Sequence, residues 1–303
     1  MDSRSSEILH EFPPFFKVYK DGRIEKLWSL HFAPPSDDPE TGVRSKDVVI
    51  LPECGVSARI FIPKINGPDQ KFPILLHIHG GGFCAGSPFE IICQNFLNSL
   101  TAEANIIVVS VDYRLAPEHH LPIAYDDSWD ALQWIASHST RSGPDPWLNE
   151  HGNFGRVFVA GESAGANIAH NVVIRAGVNP PPGLDIIGLI LLSPFFGGAE
   201  TDNMYKFLCP SSSGSGDDPK LNPAVDPNLP GLGCRKVFVC VAEKDGLRGR
   251  GWEYHETVKK SGWGGCIEIE EAEGEDHCFH MFNPSSSKLG PLLKKLSSFI
   301  NHD

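Results

Sequence analysis

From Phe72 onward, short runs of apolar and often β-branched residues alternate with longer stretches whose apolar positions recur three and four residues apart. The short runs predict strands at 74–78 (ILLHI), 106–111 (IIVVSV), 156–160 (RVFVA), 186–192 (IIGLILL), 236–241 (KVFVCV) and 266–270 (CIEIE). The longer ones predict helices over 90–104, 122–138, 164–176, 249–262 and 286–300. Such regular alternation is the pattern of parallel strands joined by crossover helices, and near-continuous apolar strands are those covered on both faces. Ahead of Phe72, segments 23–28, 46–50 and 57–62 (SARIFI) read as antiparallel strands leading into the sheet, and residues 1–20 are placed as a lid. Two loops interrupt the alternation, 139–149 and 209–233, the second holding the low-complexity run SSSGSGDDP. With no internal repeat and no linker, the expectation is one α/β domain over 1–303: a mostly parallel central sheet with helices on both faces, an N-terminal lid or cap over 1–45, and a core over 46–303.

Composition narrows the function classes. A chain of 303 residues, 41% hydrophobic and 21% charged, can bury a sizeable core and has no long polar tract that must stay unfolded. The net charge of −12 repels phosphate backbones, and no stretch clusters Lys and Arg with interleaved aromatics, so nucleic acid is not expected as a partner. No window is apolar enough to span a bilayer, so no membrane partner is expected. Acids and Pro13-Pro14 interrupt the N-terminal stretch, which lacks the apolar centre of a secretion signal. The 8 cysteines are scattered, several inside apolar runs, and read as reduced. Asn283-Pro284-Ser285 is blocked as a glycosylation acceptor by its proline. The address expected from these features is cytoplasmic.

The chemistry concentrates at strand ends. Gly161-Glu162-Ser163-Ala164-Gly165 lies directly between the strand 156–160 and the helix 164–176, the context that a sharp nucleophile turn requires. Read alone it is a Gly-Ser turn; placed there, it presents Ser163 at a helix N-terminus, where developing negative charge is favoured. His79-Gly80-Gly81-Gly82-Phe83 follows the strand 74–78, and the N–H groups of Gly81 and Gly82, with that of Ala164, are placed to hold an oxyanion. A phosphate cradle would call for the Lys and Ser/Thr of a P-loop, which are missing.

A serine hydroxyl needs a general base, and the base an orienting carboxylate. Asp245 lies in AEKDGLRGRG beyond the strand 236–241, with Glu243, nearer the strand end, as competitor. His277 follows the strand 266–270 and precedes the terminal helix, with His280 as competitor. Zinc at His277, Cys278 and His280 lacks a second pair at structural spacing, and the acidic run from Glu268 to Asp276 lacks calcium-loop spacing. No metal or cofactor is expected.

HGGGFCAGS, VDYRLAPEHHLPIAYDDSWDALQWIASH, GESAGANIAHNVVIRAG, AEKDGLRGRGWEYHETVKKSGW and GEDHCFHMF together resemble the plant carboxylesterases, the hormone-sensitive-lipase-like branch of the α/β-hydrolases. The resemblance runs through most of the chain. It implies an α/β-hydrolase fold, a triad of Ser163, Asp245 and His277, an oxyanion hole of Gly81, Gly82 and Ala164, and hydrolysis of a small-molecule ester. Asp112, Arg114, Pro117 and Glu118 of DYRLAPE would be structural supports. The same family implies alternatives: 2-hydroxyisoflavanone dehydratases and alkaloid cyclases, which use the scaffold for lyase or cyclase chemistry, and gibberellin receptors, which lack the catalytic histidine and are disfavoured by His277. One departure is a shortened segment at 197–221, where the family commonly carries an aromatic helix that walls the pocket; the expected effect is a wider site.

Overall fold

The computed structural model describes residues 7–198 and 200–302. Its strands are β1 (Ile8–Phe12), β2 (Phe16–Tyr19), β3 (Ile24–Lys26), β4 (Arg44–Leu51), β5 (Val56–Ile62), β6 (Phe72–Ile78), β7 (Ile107–Asp112), β8 (Gly152–Glu162), β9 (Ile186–Leu192), β10 (Lys236–Ala242) and β11 (Cys266–Ala272). Its α-helices are α1 (Ile91–Ala104), α2 (Ile123–Ala136), α3 (Pro146–His151), α4 (Ala164–Val178), α5 (Asn203–Leu208), α6 (Arg248–Lys260), α7 (Phe279–Phe282) and α8 (Leu289–Asn301). The main sheet has the order β11-β10-β9-β8-β6-β7-β5-β4. Strands β6 to β11 run parallel, and β5 and β4 close one edge antiparallel.

The apolar strands are covered on both faces, as their composition demands. Val109, Val157, Val159, Leu189, Leu191, Val237 and Val239 pack with Trp129 and Leu132 of α2, Ile168 and Val172 of α4, and Tyr254 and Val258 of α6. The alternate positions Val108, Phe158, Ile190 and Phe238 pack with Phe96, Leu97 and Leu100 of α1 and with Leu292, Leu296 and Phe299 of α8. Helix α1 stops at Asn105, whose φ of 53° is left-handed, a conformation asparagine tolerates. Among the described residues, no helix is long and apolar enough to cross a membrane.

The predicted fold class, a mostly parallel sheet between two helix layers, is the one found, and differences lie before and between the core elements. Segments 46–50 and 57–62 enter the main sheet as β4 and β5, but 23–28 does not: β3 pairs only with β2, in a separate antiparallel sheet β1-β2-β3. Phe12 and Phe16 of that sheet pack on Phe207 of α5, with ring centroids 5.4 and 5.8 Å away, so aromatic contact rather than strand pairing seats it. Residues 1–6 of the expected lid lie outside the described residues. In the loop 139–149, Asp145 caps α3 by accepting the Trp147 and Leu148 N–H groups, with Pro146 at the first helical position.

Candidate active site

Strand β8 ends at Glu162 and α4 begins at Ala164, so Ser163 alone makes the turn between them. It sits at φ 54° and ψ −120°, a conformation that a side-chain-bearing residue adopts only where its surroundings impose it. Its N–H donates to the Leu192 carbonyl and its own carbonyl accepts from the Phe195 N–H, each at 3.0 Å, so the end of β9 clamps the turn from both sides. Gly165 is required by space: a Cβ there would fall 2.0 Å from the Ile78 carbonyl oxygen.

The loops after β10 and β11 bring Asp245 and His277 to this turn. His277 Nε2 lies 3.0 Å from Ser163 Oγ, and His277 Nδ1 lies 2.8 Å from Asp245 Oδ2. The other Asp245 oxygen accepts the Leu247 N–H at 2.8 Å. Burial works against the Asp245 charge, but hydrogen bonds from His277, the Leu247 N–H and Ser193 outweigh it and hold the carboxyl below its ordinary value. An ionised acceptor at Nδ1 requires the proton on Nδ1, which leaves Nε2 a bare acceptor facing the serine hydroxyl. The two competitors go elsewhere. Glu243 accepts the Gly274 N–H at 2.7 Å on the loop surface, and His280 is buried against Phe96, its pKa pushed down to about 4 by that burial.

The glycine loop after β6 meets the Ser163 turn from the other side: a Cβ built on Gly80 would lie 3.3 Å from that of Ser163. Gly81, at φ 106°, passes so close to the following turn that a Cβ would fall 2.1 Å from the Ala85 carbonyl oxygen. Among the described residues, none accepts a hydrogen bond from the N–H groups of Gly81, Gly82 or Ala164. Gly81 and Gly82 line the cavity beside Ser163, and Ala164 follows it at the start of α4.

Glu162, the unspecified position inside the serine motif, ties these parts together. Its Oε1 accepts the Gly80 N–H at 2.8 Å, its Oε2 lies 2.9 Å from His77 Nε2, and His77 Nδ1 lies 2.8 Å from Ser110 Oγ. Burial opposes the Glu162 charge, yet attraction to His77 and its hydrogen bond, with the Gly80 N–H, lower the pKa to about 2. The sequence did carry a signal for this network: His77 and Ser110 are polar residues inside otherwise apolar strands, and β6 and β7 place them in register opposite each other. A second tie is Lys26, whose ammonium donates to the carbonyls of Cys84 (2.9 Å) and Ala116 (3.0 Å) and pairs with Glu118 (2.9 Å).

The site opens into a cavity of about 380 Å³ lined by Pro14, Phe15 and Trp28, the glycine loop, residues 86–93 in part, and His277 to Phe282 in part. None of Asp112, Arg114, Pro117 and Glu118 lines it. Asp112 accepts from the Ser87 hydroxyl at 3.0 Å, and Arg114 pairs with Asp127 at 2.7 Å. The shortened segment leaves no gap beside Gly82, because Met204 of α5 and Phe15 reach it; a Cβ on Gly82 would meet each at 2.8 Å. The cavity instead extends toward the start of α1, away from 197–221, of which residue 199 lies outside the described residues. Among the described residues, no group of three or more His, Cys, Asp or Glu is arranged to hold a metal ion.

Comparison with known proteins identifies the fold and the family. Residues 75–281 match a family described as alpha/beta hydrolase fold. A 2-hydroxyisoflavanone dehydratase of Glycyrrhiza echinata is 44% identical over 98% of this chain and 97% of its own. Probable carboxylesterase 1 of Arabidopsis thaliana is 41% identical over 98% of this chain and 99% of its own. Among solved structures, a hyperthermophilic esterase from the archaeon Pyrobaculum calidifontis has a TM-score of 0.70 at 27% identity, over 84% of this chain and 85% of that one. The match to plant relatives over nearly the whole chain, together with the alpha/beta hydrolase family match over residues 75–281, places the chain in the plant carboxylesterase family, the hormone-sensitive-lipase-like branch of the α/β-hydrolases.

Proposed function

We propose that the protein is a serine carboxylesterase that hydrolyses small-molecule esters through an acyl-enzyme intermediate. The observation that carries this reading is the hydrogen-bonded line from Asp245 through His277 to Ser163, ending in a cavity that Gly81 and Gly82 also line. Ser163 Oγ attacks the ester carbonyl carbon while His277 Nε2 takes the hydroxyl proton, and Asp245 orients the ring and stabilises the imidazolium. The carbonyl oxygen becomes an oxyanion held by the N–H groups of Gly81, Gly82 and Ala164, each donor worth on the order of 10²–10³ in rate. Collapse breaks the bond to the alcohol oxygen, which leaves with the proton from Nε2. A water molecule, deprotonated by the same histidine, then attacks the acyl carbon, releases the acid and restores Ser163. In this reading the N-terminal segment is the cap, since Pro14, Phe15 and Trp28 line the cavity.

A second reading, favoured by the 44% identity to a 2-hydroxyisoflavanone dehydratase, is a lyase that uses the same groups to eliminate water. The receptor reading is not favoured, because His277 stands within hydrogen-bond reach of Ser163. Purified protein assayed against short-chain nitrophenyl esters and against 2-hydroxyisoflavanones, with Ser163→Ala as control, separates the readings. Ester turnover abolished in Ser163→Ala is the expected result; dehydration without ester turnover would assign the lyase.

A further inference from the structure

The reaction sequence above leaves one charged group of the cavity without a role. Glu90, the residue before α1, lines the cavity wall and is 6% exposed. Burial raises the pKa of its carboxyl above the ordinary value; hydrogen bonds from the Ser87 backbone and the Trp28 side chain, and the charge of His31, act the other way, while Glu162 adds to the rise. Among the described residues, no Lys or Arg lines the cavity. A carboxylate offers about four acceptor sites, so two hydrogen bonds leave it unsaturated. Burial of its charge with so few partners is unfavourable, which is why the carboxyl is held above its ordinary pKa, and a cation in the cavity would offset that cost.

We propose that Glu90 makes this cavity selective for esters that carry a protonated amine, the ammonium N–H donating to the Glu90 carboxylate while the alkyl groups pack among Phe15, Trp28 and Phe282. The proposal rests on the esterase reading for its assay and specifies the substrate class of that site. A neutral hydroxyl would supply a hydrogen bond but leave the charge uncompensated. An ammonium supplies a charge-assisted bond, roughly twice as strong, and aromatic faces attract it as well. An anionic ester meets a pocket whose fixed charges are carboxylates, and the net charge of −12 steers cations toward the protein and anions away.

The test compares two esters of the same shape, 2-(dimethylamino)ethyl acetate, protonated at pH 7, and 3-methylbutyl acetate, in which a CH replaces the nitrogen. Wild-type kcat/KM is expected to favour the amine by about tenfold or more, the scale of one charge-assisted contact, and the ratio is expected to fall to about one in Glu90→Gln. A wild-type ratio at or below one overturns the proposal with no variant needed, and so does a ratio that Glu90→Gln leaves unchanged. If neither ester is hydrolysed, the dissociation constants of the two are measured by calorimetry on Ser163→Ala with and without Glu90→Gln. A preference for the amine that disappears with Glu90 then upholds this subsite while the hydrolytic reading fails; equal affinities overturn the subsite.

Discussion

One oxygen of Asp245 accepts the Leu247 N–H and the other faces His277 Nδ1, so its carboxylate fixes the imidazole tautomer as well as the ring's position. Asparagine would keep the shape but allow an amide N–H to face Nδ1, favouring the ring form that cannot accept the Ser163 proton. Asp245→Asn is therefore expected to lower kcat on a nitrophenyl ester by about 10⁴-fold, whereas Glu243→Gln, whose carboxylate accepts the Gly274 N–H on the loop surface, is expected to leave it nearly unchanged. Equal losses in steady-state assays would contradict the assignment. At this scale the sequence was informative wherever chemistry fixed residue type and spacing together: Ser163 between two glycines, and His277 between the last strand and the terminal helix. It was silent on Glu162, because a motif that admits any residue at that position says nothing of a carboxylate bridging His77 and Gly80. Glu90 was hidden for a different reason, since its meaning depends on which wall of the cavity α1 supplies.

Among the elements, the apolar strands and amphipathic helices of the core were legible to within a few residues, because the central strands are largely buried on both faces and the helices pack against them. The N-terminal sheet was not. Strands β1 to β3 are short and largely exposed, with Phe16 and Val18 as their buried apolar residues, so no periodicity distinguishes them from an edge of the main sheet. What seats them is one aromatic cluster around Phe207 and the ammonium of Lys26, contacts between residues far apart in sequence. Lys26→Ala is expected to loosen this sheet against the glycine loop while the core stays intact. Hydrogen exchange read by mass spectrometry should then rise about tenfold over residues 8–26, the equivalent of roughly 1.4 kcal/mol of lost protection, and remain unchanged in β6 to β10. Uniform protection in the variant would mean that the aromatic cluster suffices without the ion.

For the molecule as a whole, buried polar groups make stability depend on pH in a stated direction. Burial lowers the pKa of His79 and His280 to about 4 and that of His170 to about 3, from an ordinary value of 6.5. The unfolded chain therefore binds protons below pH 6.5 that the folded one does not, and stability falls as pH drops from 6.5 toward those lower values. Glu162, lowered from 4.5 to about 2, adds a contribution that is present above pH 4.5 and lost as pH falls through about 2. Urea unfolding should show a midpoint that declines already between pH 6.5 and 5, and Glu162→Gln should flatten the dependence only below pH 4.5. A midpoint constant down to pH 5 would show that these histidines are not buried neutral.

Covalent capture of Ser163 tests the account most directly. Diethyl 4-nitrophenyl phosphate mimics an ester whose intermediate cannot be hydrolysed quickly: Ser163 Oγ would bond to phosphorus, nitrophenolate would leave, and His277 would take the hydroxyl proton. The expected result is one equivalent of nitrophenolate, one diethylphosphoryl group found on Ser163 by peptide mass spectrometry, and complete loss of ester turnover, with Ser163→Ala neither labelled nor active above about 1% of wild type. A label on another residue that abolishes turnover, or an unlabelled protein that still hydrolyses esters after Ser163→Ala, would contradict it.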